Sequence, residues 1–408
     1  MFPPQPLHDT RTMTSMTSSV FEELNERFTT GGAEAAFGRL AERLREEERY
    51  HELFDARLME GRYRLGLPVI LTSGLDDLEE PMRTRVEGAY LDACREVGQL
   101  LLDKGRIREA WMYLRPVGDK AAVAAAIGRT SPSDENVEEI IEVALHEGVN
   151  PRYGFELVLG HYGTCNAITM FDSVMHNKPI ADRREVAELL VRRLHGELTR
   201  NLQSEIAKQE GAQPGEKSIH DLVADRDWLF AADNYHIDTS HLHAVVRFAR
   251  YLTAAEPLAL AVDLTEYGRR LSRQYQYAGE EPFVDSQATH AMFFRAQLGE
   301  EVAQALACFR EKAETLPAAE HGAGPAEVYV ALLSRLGRYR EALDALAALV
   351  PAGTQTSGFA PTMIELARLA GDYERLMEIC ESRGDLLGFT AGLVENQLQT
   401  SGKSAAAK

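Results

Sequence analysis

The chain has 408 residues, enough for two or three domains or for one extended repeat array, and its 45% hydrophobic content is typical of a folded protein. Its 63 acidic residues outnumber its 44 lysines and arginines, so that the formal net charge is −19. A field of that sign repels polyanions, and we therefore expect neither nucleic acid nor an anionic membrane as a partner.

The cysteines and the N-terminal segment bear on the cellular compartment. The sequence predicts neither a zinc knuckle nor a disulfide framework, because no CxxC pair occurs among Cys94, Cys165, Cys308 and Cys380. Residues 1–18 lack the continuous apolar core of a secretory signal, and no apolar run reaches the roughly 18 residues of a membrane span. We expect a cytoplasmic protein in which residues 1–18 form a disordered tail.

The hydrophobic pattern predicts helices along nearly the whole chain. A Ser-x-x-Glu capping box at residues 19–22 predicts the start of the first helix, and the Gly31-Gly32 pair predicts a turn between helices. Only residues 67–72, LPVILT, suggest a strand, and residues 211–217 are typical of a linker. Other helices are expected at residues 80–104, 106–114, 133–147 and 182–209. The sequence thus predicts an all-α fold of roughly twenty helices.

Two similar segments near the C-terminus lie one repeat length apart. The segment LGRYREAL contains Gly337, the segment AGDYERL contains Gly371, and these glycines are separated by 34 residues. In repeats of this length the glycine permits a tight turn between paired helices. The tyrosine, here Tyr339 or Tyr373, packs across the pair, and a small residue such as Ala342 lets the helices approach closely.

This pattern resembles the tetratricopeptide-repeat family over residues 324–396 and, more weakly, over residues 36–127, where GRIREAW carries a similar turn. Val330 and Leu376 stand where the family usually has glycine and alanine, so the array is diverged. The resemblance implies an α-solenoid of tetratricopeptide-like helix pairs with a divergent helical middle segment. The implied division is a tail at 1–18, N-terminal repeats at 19–130, the middle segment at 131–320, C-terminal pairs at 321–398 and a tail at 399–408.

Histidines concentrate in the middle segment. Eight of the twelve fall between His146 and His243, so that any chemistry is expected there. His236, Asp238 and His241 lie close together around a predicted helix start, and a mixture of imidazole and carboxylate suits Zn²⁺ or Fe²⁺. One hypothesis is therefore a divalent metal site at this helix start.

A metal site would need further residues from the same segment. His146 or His161 would supply a third imidazole, and Tyr235 or His243 would transfer a proton to or from the substrate. Cys165 lies four residues after His161, but Gly163 between them weakens the prediction of a shared helical face. No HExxH or facial-triad spacing supports the metal hypothesis.

The same residues also have a purely structural interpretation. Asp238 would cap the helix, His241 would pack at the edge of the core beside Val245, and His243 would face Arg247 at the surface. Both interpretations remain open at the level of the sequence.

The arginine pairs and the aromatic clusters can likewise be interpreted either as ligand-binding or as structural. The pairs at residues 183–184 and 192–193 would either bind a phosphate or form a solvated helix face balanced by nearby glutamates. The aromatic-rich segments at residues 267–277 and 282–294 would either line a ligand surface or pack in the core.

Three functions can be compared with these patterns. The leading hypothesis is a cytoplasmic helical-repeat scaffold that binds a protein or peptide partner in a concave groove. The alternative is a metal-dependent enzyme with its site in the middle segment. A third, an α/α toroid acting on a polysaccharide, fits poorly because only Trp111 and Trp228 are available for stacking on sugars.

Overall fold

A computed structural model describes residues 10–70, 78–215 and 218–406. Within these residues the fold is all-α, as predicted: no strand forms, and an isolated antiparallel bridge joins Ala278 to Asp285. The strand suggested at residues 67–72 is absent from residues 67–70, and residues 71 and 72 lie outside the described part. None of the described helices is both long enough and apolar enough to cross a bilayer.

The helices form two compact units, Met1–Leu157 and Val158–Lys408. The first unit holds the beginning of α7 (Pro151–Val174) and the helices before it, which are α1 (Thr10–Glu46), α2 (Tyr50–Arg64), α3 (Met82–Asp103), α4 (Ile107–Val117), α5 (Lys120–Arg129) and α6 (Val137–Ile141). Helices α1 to α4 pack in sequence order around a core that includes Leu53, Leu101 and Ala110. Helices that follow one another along a chain usually pack as neighbours in this way.

Helix α1 is a hairpin of two helical halves. Gly32 has a left-handed φ of 74° and an extended ψ of −169°, which reverses the chain. Arg39 in the second half therefore contacts Glu23 in the first, with 2.5 Å between Arg39 Nε and Glu23 Oε1. The predicted turn at Gly31-Gly32 is confirmed. The predicted start at Ser19 is wrong, because the helix begins at Thr10 and Ser19 lies within it.

The second unit continues α7 and adds twelve helices among the described residues. They are α8 (Ile180–Glu210), α9 (Ile219–Val223), α10 (Thr239–Phe248), α11 (Ala255–Arg270), α12 (Ser286–Gln297), α13 (Val302–Thr315), α14 (Ala318–His321), α15 (Gly324–Arg335), α16 (Tyr339–Leu349), α17 (Met363–Ala370), α18 (Tyr373–Arg383) and α19 (Leu386–Ala406). Helix α8 is central, because it packs on α9, α10 and α11. Its buried side chains recur at four-residue spacing, from Leu190 through Leu194 and Leu198 to Leu202.

The C-terminal helices of this unit stack strictly in chain order. Helix α15 packs on α16, α16 on α17, α17 on α18, and α18 on α19. Val330 and Leu376, the two departures from the repeat pattern, are both buried, so the larger side chains fill the space between neighbouring helices.

One type of turn recurs between consecutive helices. A residue of left-handed conformation follows the first helix, and the next residue donates its amide hydrogen to the carbonyl oxygen five positions back, which is the Schellman arrangement. The donor and acceptor pairs are Arg49 and Leu44, Arg106 and Leu101, Arg338 and Leu333, Asp372 and Ala367, and Asp385 and Cys380, at 2.9 to 3.0 Å. Gly337 and Gly371 hold equivalent places, with φ values of 74° and 65°, and the next helix begins two residues after each.

Three of these turns carry the same ion pair. The arginine after the left-handed residue contacts the glutamate three positions on, and its Nε lies 2.6 to 2.7 Å from a carboxylate oxygen. The pairs are Arg49 with Glu52, Arg106 with Glu109, and Arg338 with Glu341. The negative charge lies in the first helical turn, where the helix dipole favours it.

Other predicted helices agree with the structure except at residues 133–147. The helices predicted at 80–104, 106–114 and 182–209 correspond to α3, α4 and α8. The helix predicted at 133–147 begins only at Val137 and changes to a π-helical turn at Glu142–His146. Val143, Ala144 and Leu145 in this turn are all buried, and the wider turn places three consecutive side chains in the core, which a regular helix face does not do.

Candidate functional site

The predicted metal-binding segment forms the start of α10. Asp238 is the N-cap: its Oδ1 accepts hydrogen bonds from the backbone amides of Ser240 at 2.9 Å and His241 at 3.0 Å. The hydroxyl of Ser240 donates to the same oxygen at 2.6 Å, and this bond lowers the pKa of Asp238. The carboxylate is therefore engaged in capping, as the structural interpretation predicted.

His236 packs against a buried tyrosine. Its backbone amide donates to Tyr267 Oη at 2.8 Å, and its Nδ1 lies 3.1 Å from the same oxygen. The backbone carbonyl of His236 accepts from Asn201 Nδ2 at 2.7 Å. Burial lowers the pKa of His236 and raises that of Tyr267, so both groups are neutral near pH 7.

The two residues proposed for proton transfer lie in different surroundings. Tyr235 is exposed and contacts Tyr275 edge-on, with 5.0 Å between ring centroids. His243 is half-buried beside Tyr277, and burial together with the nearby Arg247 lowers its pKa. The predicted catalytic roles of Tyr235 and His243 stay predictions.

The remaining predicted ligands lie on other elements. His146 is in the π-helical turn of the first unit, whereas His161 is exposed on α7 and contacts Tyr162. Gly163, with φ 79° and ψ 177°, breaks α7 between His161 and Cys165. Across the described residues no group of three or more His, Cys, Asp or Glu side chains is arranged to hold a metal ion. The metal site therefore remains a prediction, and the described residues provide no set of ligands for it.

A buried imidazole lies on α12, within the aromatic-rich segment at residues 282–294. His290 is 2% exposed and stacks on Phe283, with 4.1 Å between centroids and 11° between planes. Its Nδ1 lies 2.6 Å from the carbonyl oxygen of Ser286, whereas its Nε2 is buried without a partner among the described residues. Burial, and then the charge of Arg250, holds the pKa of His290 well below its ordinary value.

The aromatic segments around His290 mostly pack in the core. Tyr267, Phe283, Phe293 and Phe294 are buried, which confirms the core interpretation for these four side chains. Tyr277 is exposed and lies over His243. The hydrophobic period places Phe293 and Phe294 inside, and His290 lies one helical turn before them on the same face of α12.

The arginine pairs are occupied by protein groups. Arg192 pairs with Glu188 and Glu256, and Arg193 pairs with Glu197. Arg183 and Arg184 donate instead to backbone carbonyl oxygens, including those of Lys178 and Tyr251. The predicted charge-balanced helix face is thus correct for residues 192–193, and residues 183–184 cap the ends of neighbouring helical segments.

The close histidine–carboxylate contacts occur at residues that the sequence did not single out. Each joins two helices and involves one imidazole nitrogen within 2.9 Å of a carboxylate oxygen: His51 with Glu109, His195 with Asp263, and His220 with Glu266. The partners are 46 to 68 residues apart along the chain, so that no local pattern could reveal them. Hydrogen bonding to Glu266 raises the pKa of His220.

The first unit contains a concave groove of about 530 Å³ between the two halves of α1 and helix α2. Its apolar lining consists of Val20, Phe21, Leu24, Leu40, Leu44, Ala56 and Met59. Phe21 is 68% exposed, although a side chain of this size normally gains by burial. An exposed aromatic in a concave apolar surface is typical of a binding site.

Charged side chains form the rim of this groove. The carboxylate of Glu47 forms ion pairs with Arg43, at 2.6 Å from its Nη2, and with Arg49, at 3.0 Å from its Nη1. Glu52 also pairs with Arg49. Asp55 is exposed, and no cation of the described residues pairs with it. The groove therefore combines an apolar floor with one uncompensated carboxylate.

No protein-family model matches the chain, and no curated protein matches it either.

Proposed function

We propose that the chain is a tetratricopeptide-like helical-repeat protein that binds a protein or peptide partner in the groove between α1 and α2. The equivalent turns at Gly337 and Gly371, 34 residues apart, support the repeat assignment. The Schellman turn before α4 supports its extension to the first unit. Stacked helix pairs bury their apolar faces against one another and leave a concave surface available for a partner.

The partner that fits this groove is an amphipathic helix. A helix with its side chains is about 10–12 Å across, and it presents apolar residues at i, i+3, i+4 and i+7 to a groove. Phe21 and Met59 are the two exposed apolar side chains of the lining, and a bound helix would cover both. The exposed Phe21 in the apolar groove is the observation that carries the proposal.

The charges at the rim favour a basic residue beside the apolar anchors. The rim arginines, Arg43 and Arg49, already pair with Glu47 and Glu52. Asp55 would contact a lysine or arginine of the partner, and the chain's net charge of −19 would speed association with a basic segment. A cytoplasmic setting is part of the proposal, and the four free cysteines are consistent with a reducing compartment.

A pull-down from native lysate tests this proposal. The wild-type chain should recover a stoichiometric partner, and Phe21→Asp combined with Met59→Asp should lose it, because each carboxylate would be buried against the partner's apolar face. Met112→Asp is the matched control, since Met112 is an exposed apolar residue of the same unit outside the groove. Equal recovery by all three proteins, or no stoichiometric partner with the wild type, would contradict the proposal.

A further inference from the structure

A basic recess in the second unit, formed by His243, Arg250, Phe283 and His290, contains polar atoms without partners. His290 is 2% exposed, and its Nε2 is fully buried and has no hydrogen-bond partner among the described residues. His243 is half-buried, and its Nδ1 is likewise buried without a partner among these residues. Since a buried polar atom without a hydrogen bond is costly, such atoms commonly mark a place where a bound molecule completes the bonding.

Arg250 supplies an unpaired positive charge to this recess. It lies in the 3-10 turn Ala249–Tyr251 that follows α10, and its Nε donates to the carbonyl oxygen of Arg247 at 2.9 Å. Its two Nη atoms have no hydrogen-bond or carboxylate partner among the described residues, and Glu280, on the loop before α12, is exposed and does not pair with it. The residue is half-buried and neither Nη atom is fully enclosed, so that solvent reaches the guanidinium.

These groups face one another where α10 and the turn after it pack on α12. Phe283 contacts two of them: its ring stacks on His290, and the guanidinium carbon of Arg250 lies 5.3 Å from its centroid. After burial, the charge of Arg250 contributes most to the lowered pKa of His290, followed by the charges of His243 and Arg247. The spacing of His243, Arg247 and Arg250 is i, i+4 and i+7, which places the three on one side of a helix.

The hydrogen bond of the His290 ring determines what its free nitrogen can bind. The carbonyl oxygen of Ser286 can only accept, so Nδ1 of His290, at 2.6 Å from it, carries the proton of the neutral ring. Nε2 therefore presents a lone pair and needs a donor. A molecule bound in the recess has to accept hydrogen bonds from a guanidinium and also to donate one to an imidazole.

A phosphate group that carries one proton has both properties. Its charged oxygens match the fork of the Arg250 guanidinium, and its hydroxyl can donate to Nε2 of His290. A carboxylate or a sulfate has no proton near neutral pH and would place a lone pair against that of Nε2. Arg247 adds little further charge, because its Nη2 already pairs with both carboxylate oxygens of Asp172, at 2.7 and 2.9 Å.

We infer that the basic recess binds a singly protonated phosphate group, either as free phosphate or as a phosphomonoester. The guanidinium of Arg250 holds the charged oxygens, Nε2 of His290 accepts from the phosphate hydroxyl, and the ring of Phe283 forms one wall. The recess lies in the second unit, whereas the groove between α1 and α2 lies in the first, so this inference is independent of the proposed function.

Isothermal titration calorimetry of the full chain at pH 7.5 tests the inference. Inorganic phosphate should bind the wild type, and sulfate, which is similar in shape but has no proton, should bind at least about tenfold more weakly. Arg250→Gln should lower the affinity for phosphate at least about tenfold, because the bidentate contact is lost. Arg269→Gln removes an exposed arginine of the same unit and should bind as the wild type does. His290→Phe keeps the aromatic ring without its lone pair and should abolish the preference for phosphate over sulfate.

Thermal unfolding of the wild type gives a measurement that does not depend on the folding of the variants. Phosphate should raise Tm more than sulfate does at equal ionic strength, and since both ions also stabilise proteins by exclusion from the surface, the difference reports binding. Methyl phosphate at pH 5.5, below its second pKa of about 6, carries one proton and distinguishes the two sources. Binding of this ester identifies a phosphomonoester as the ligand, and binding of inorganic phosphate alone identifies the free ion.

Two results would overturn the inference. One is a wild-type chain that binds phosphate no more tightly than sulfate and gains no additional Tm from it. The other is an Arg250→Gln variant that binds phosphate as tightly as the wild type does.

Discussion

The buried side chain of His290 should make the stability of the second unit depend on pH. The groups that face it are cationic or basic, namely Arg250, His243 and Arg247, and each opposes its protonation. The pKa values of His236 and His243 are also lowered, in both cases mainly by burial. The fold therefore holds three imidazoles in the neutral form.

The expected consequence is a loss of stability in acid. A histidine whose pKa is lower in the folded state than in the unfolded state stabilises the fold above its unfolded pKa of about 6.5, and the stabilisation is lost as pH falls below that value. For His290, whose pKa is held well below its ordinary value, the loss at pH 5.5 approaches about 1.4 kcal/mol, because the unfolded chain gains a proton that the folded chain does not. Urea unfolding at pH 7.5 and pH 5.5 measures this difference.

Substitution of the buried ring should reduce this pH dependence. For His290→Gln the loss between pH 7.5 and 5.5 should be about 1.4 kcal/mol smaller than for the wild type, although the variant starts from a lower stability. His161→Gln, at an exposed ring, is the control and should follow the wild type. The same pH dependence in all three proteins would show that His290 does not contribute as described.

Asp238 distinguishes capping from metal binding. As an N-cap it should cost about 1 kcal/mol when replaced by alanine and little when replaced by asparagine, because asparagine caps helices equally well. A metal ligand would behave differently: asparagine would be nearly as harmful as alanine, and a chelator would destabilise the wild type. Urea unfolding of Asp238→Ala and Asp238→Asn, with and without EDTA, separates the two roles.

Elemental analysis addresses the metal hypothesis directly. Protein purified without an affinity tag should contain no stoichiometric metal, and His236→Ala combined with His241→Ala should leave its composition unchanged. A metal present at about one per chain in the wild type and lost in the double variant would favour the enzyme alternative, because removal of two imidazoles from a site of three or four ligands abolishes tight binding.

At the scale of helices and turns, the repeated Schellman turn organises both units. Gly337 has a φ of 74°, and an added Cβ would meet no atom within 4 Å. Only the left-handed backbone therefore opposes a larger residue at this position. Gly337→Ala should destabilise the protein by about 1–2 kcal/mol, which is the cost of the left-handed conformation for a residue with a Cβ.

Gly128 offers a matched control for this prediction. It lies within helix α5, its φ is not positive, and an added Cβ would also meet no atom within 4 Å. Gly128→Ala should therefore stabilise the protein by about 0.4–1 kcal/mol, since alanine is the better helix former. Thermal unfolding of both variants measures the difference, and equal effects would contradict the role assigned to the backbone conformation.

These elements indicate which parts of the fold a sequence reveals. The turns at Gly31-Gly32, Gly337 and Gly371 were predictable, because glycine is the residue that adopts positive φ without strain. Glu48 takes the same left-handed place before α2, but a glutamate gives no comparable signal. The π-helical turn at Glu142–His146 depends on packing in the core, which the local sequence does not record.

Among the candidate site residues, too, some roles follow from the local sequence and others depend on the three-dimensional packing. Capping by Asp238 follows from its position before a helix, and the sequence predicted it as one of two alternatives. The eight histidines clustered along the chain are distributed over several elements, including α7, α8, α9 and α10, and no metal-binding group of three or more side chains occurs among the described residues. The groove was not predicted in detail, since it requires α1 to fold back on itself.

At the scale of the whole molecule, the chain is strongly acidic, and its described residues include two groups of neighbouring exposed apolar side chains. One lies in the groove lined by Phe21 and Met59, and the other consists of Leu387, Val394 and Leu398 on α19. Exposed apolar surfaces of this kind are typical of interaction sites. The groove lies in the first unit and the α19 side chains in the second.

Site-specific photo-cross-linking from the groove tests the central claim most directly. With a photoreactive phenylalanine at position 21, irradiation in lysate should link the chain to a peptide with apolar residues at i, i+3 or i+4, and i+7 and a lysine or arginine beside them. A synthetic copy of that peptide should bind the wild type and lose at least about tenfold in affinity for Phe21→Asp. Cross-links equally abundant from position 112, or a linked peptide that binds Phe21→Asp as tightly as the wild type, would contradict the account.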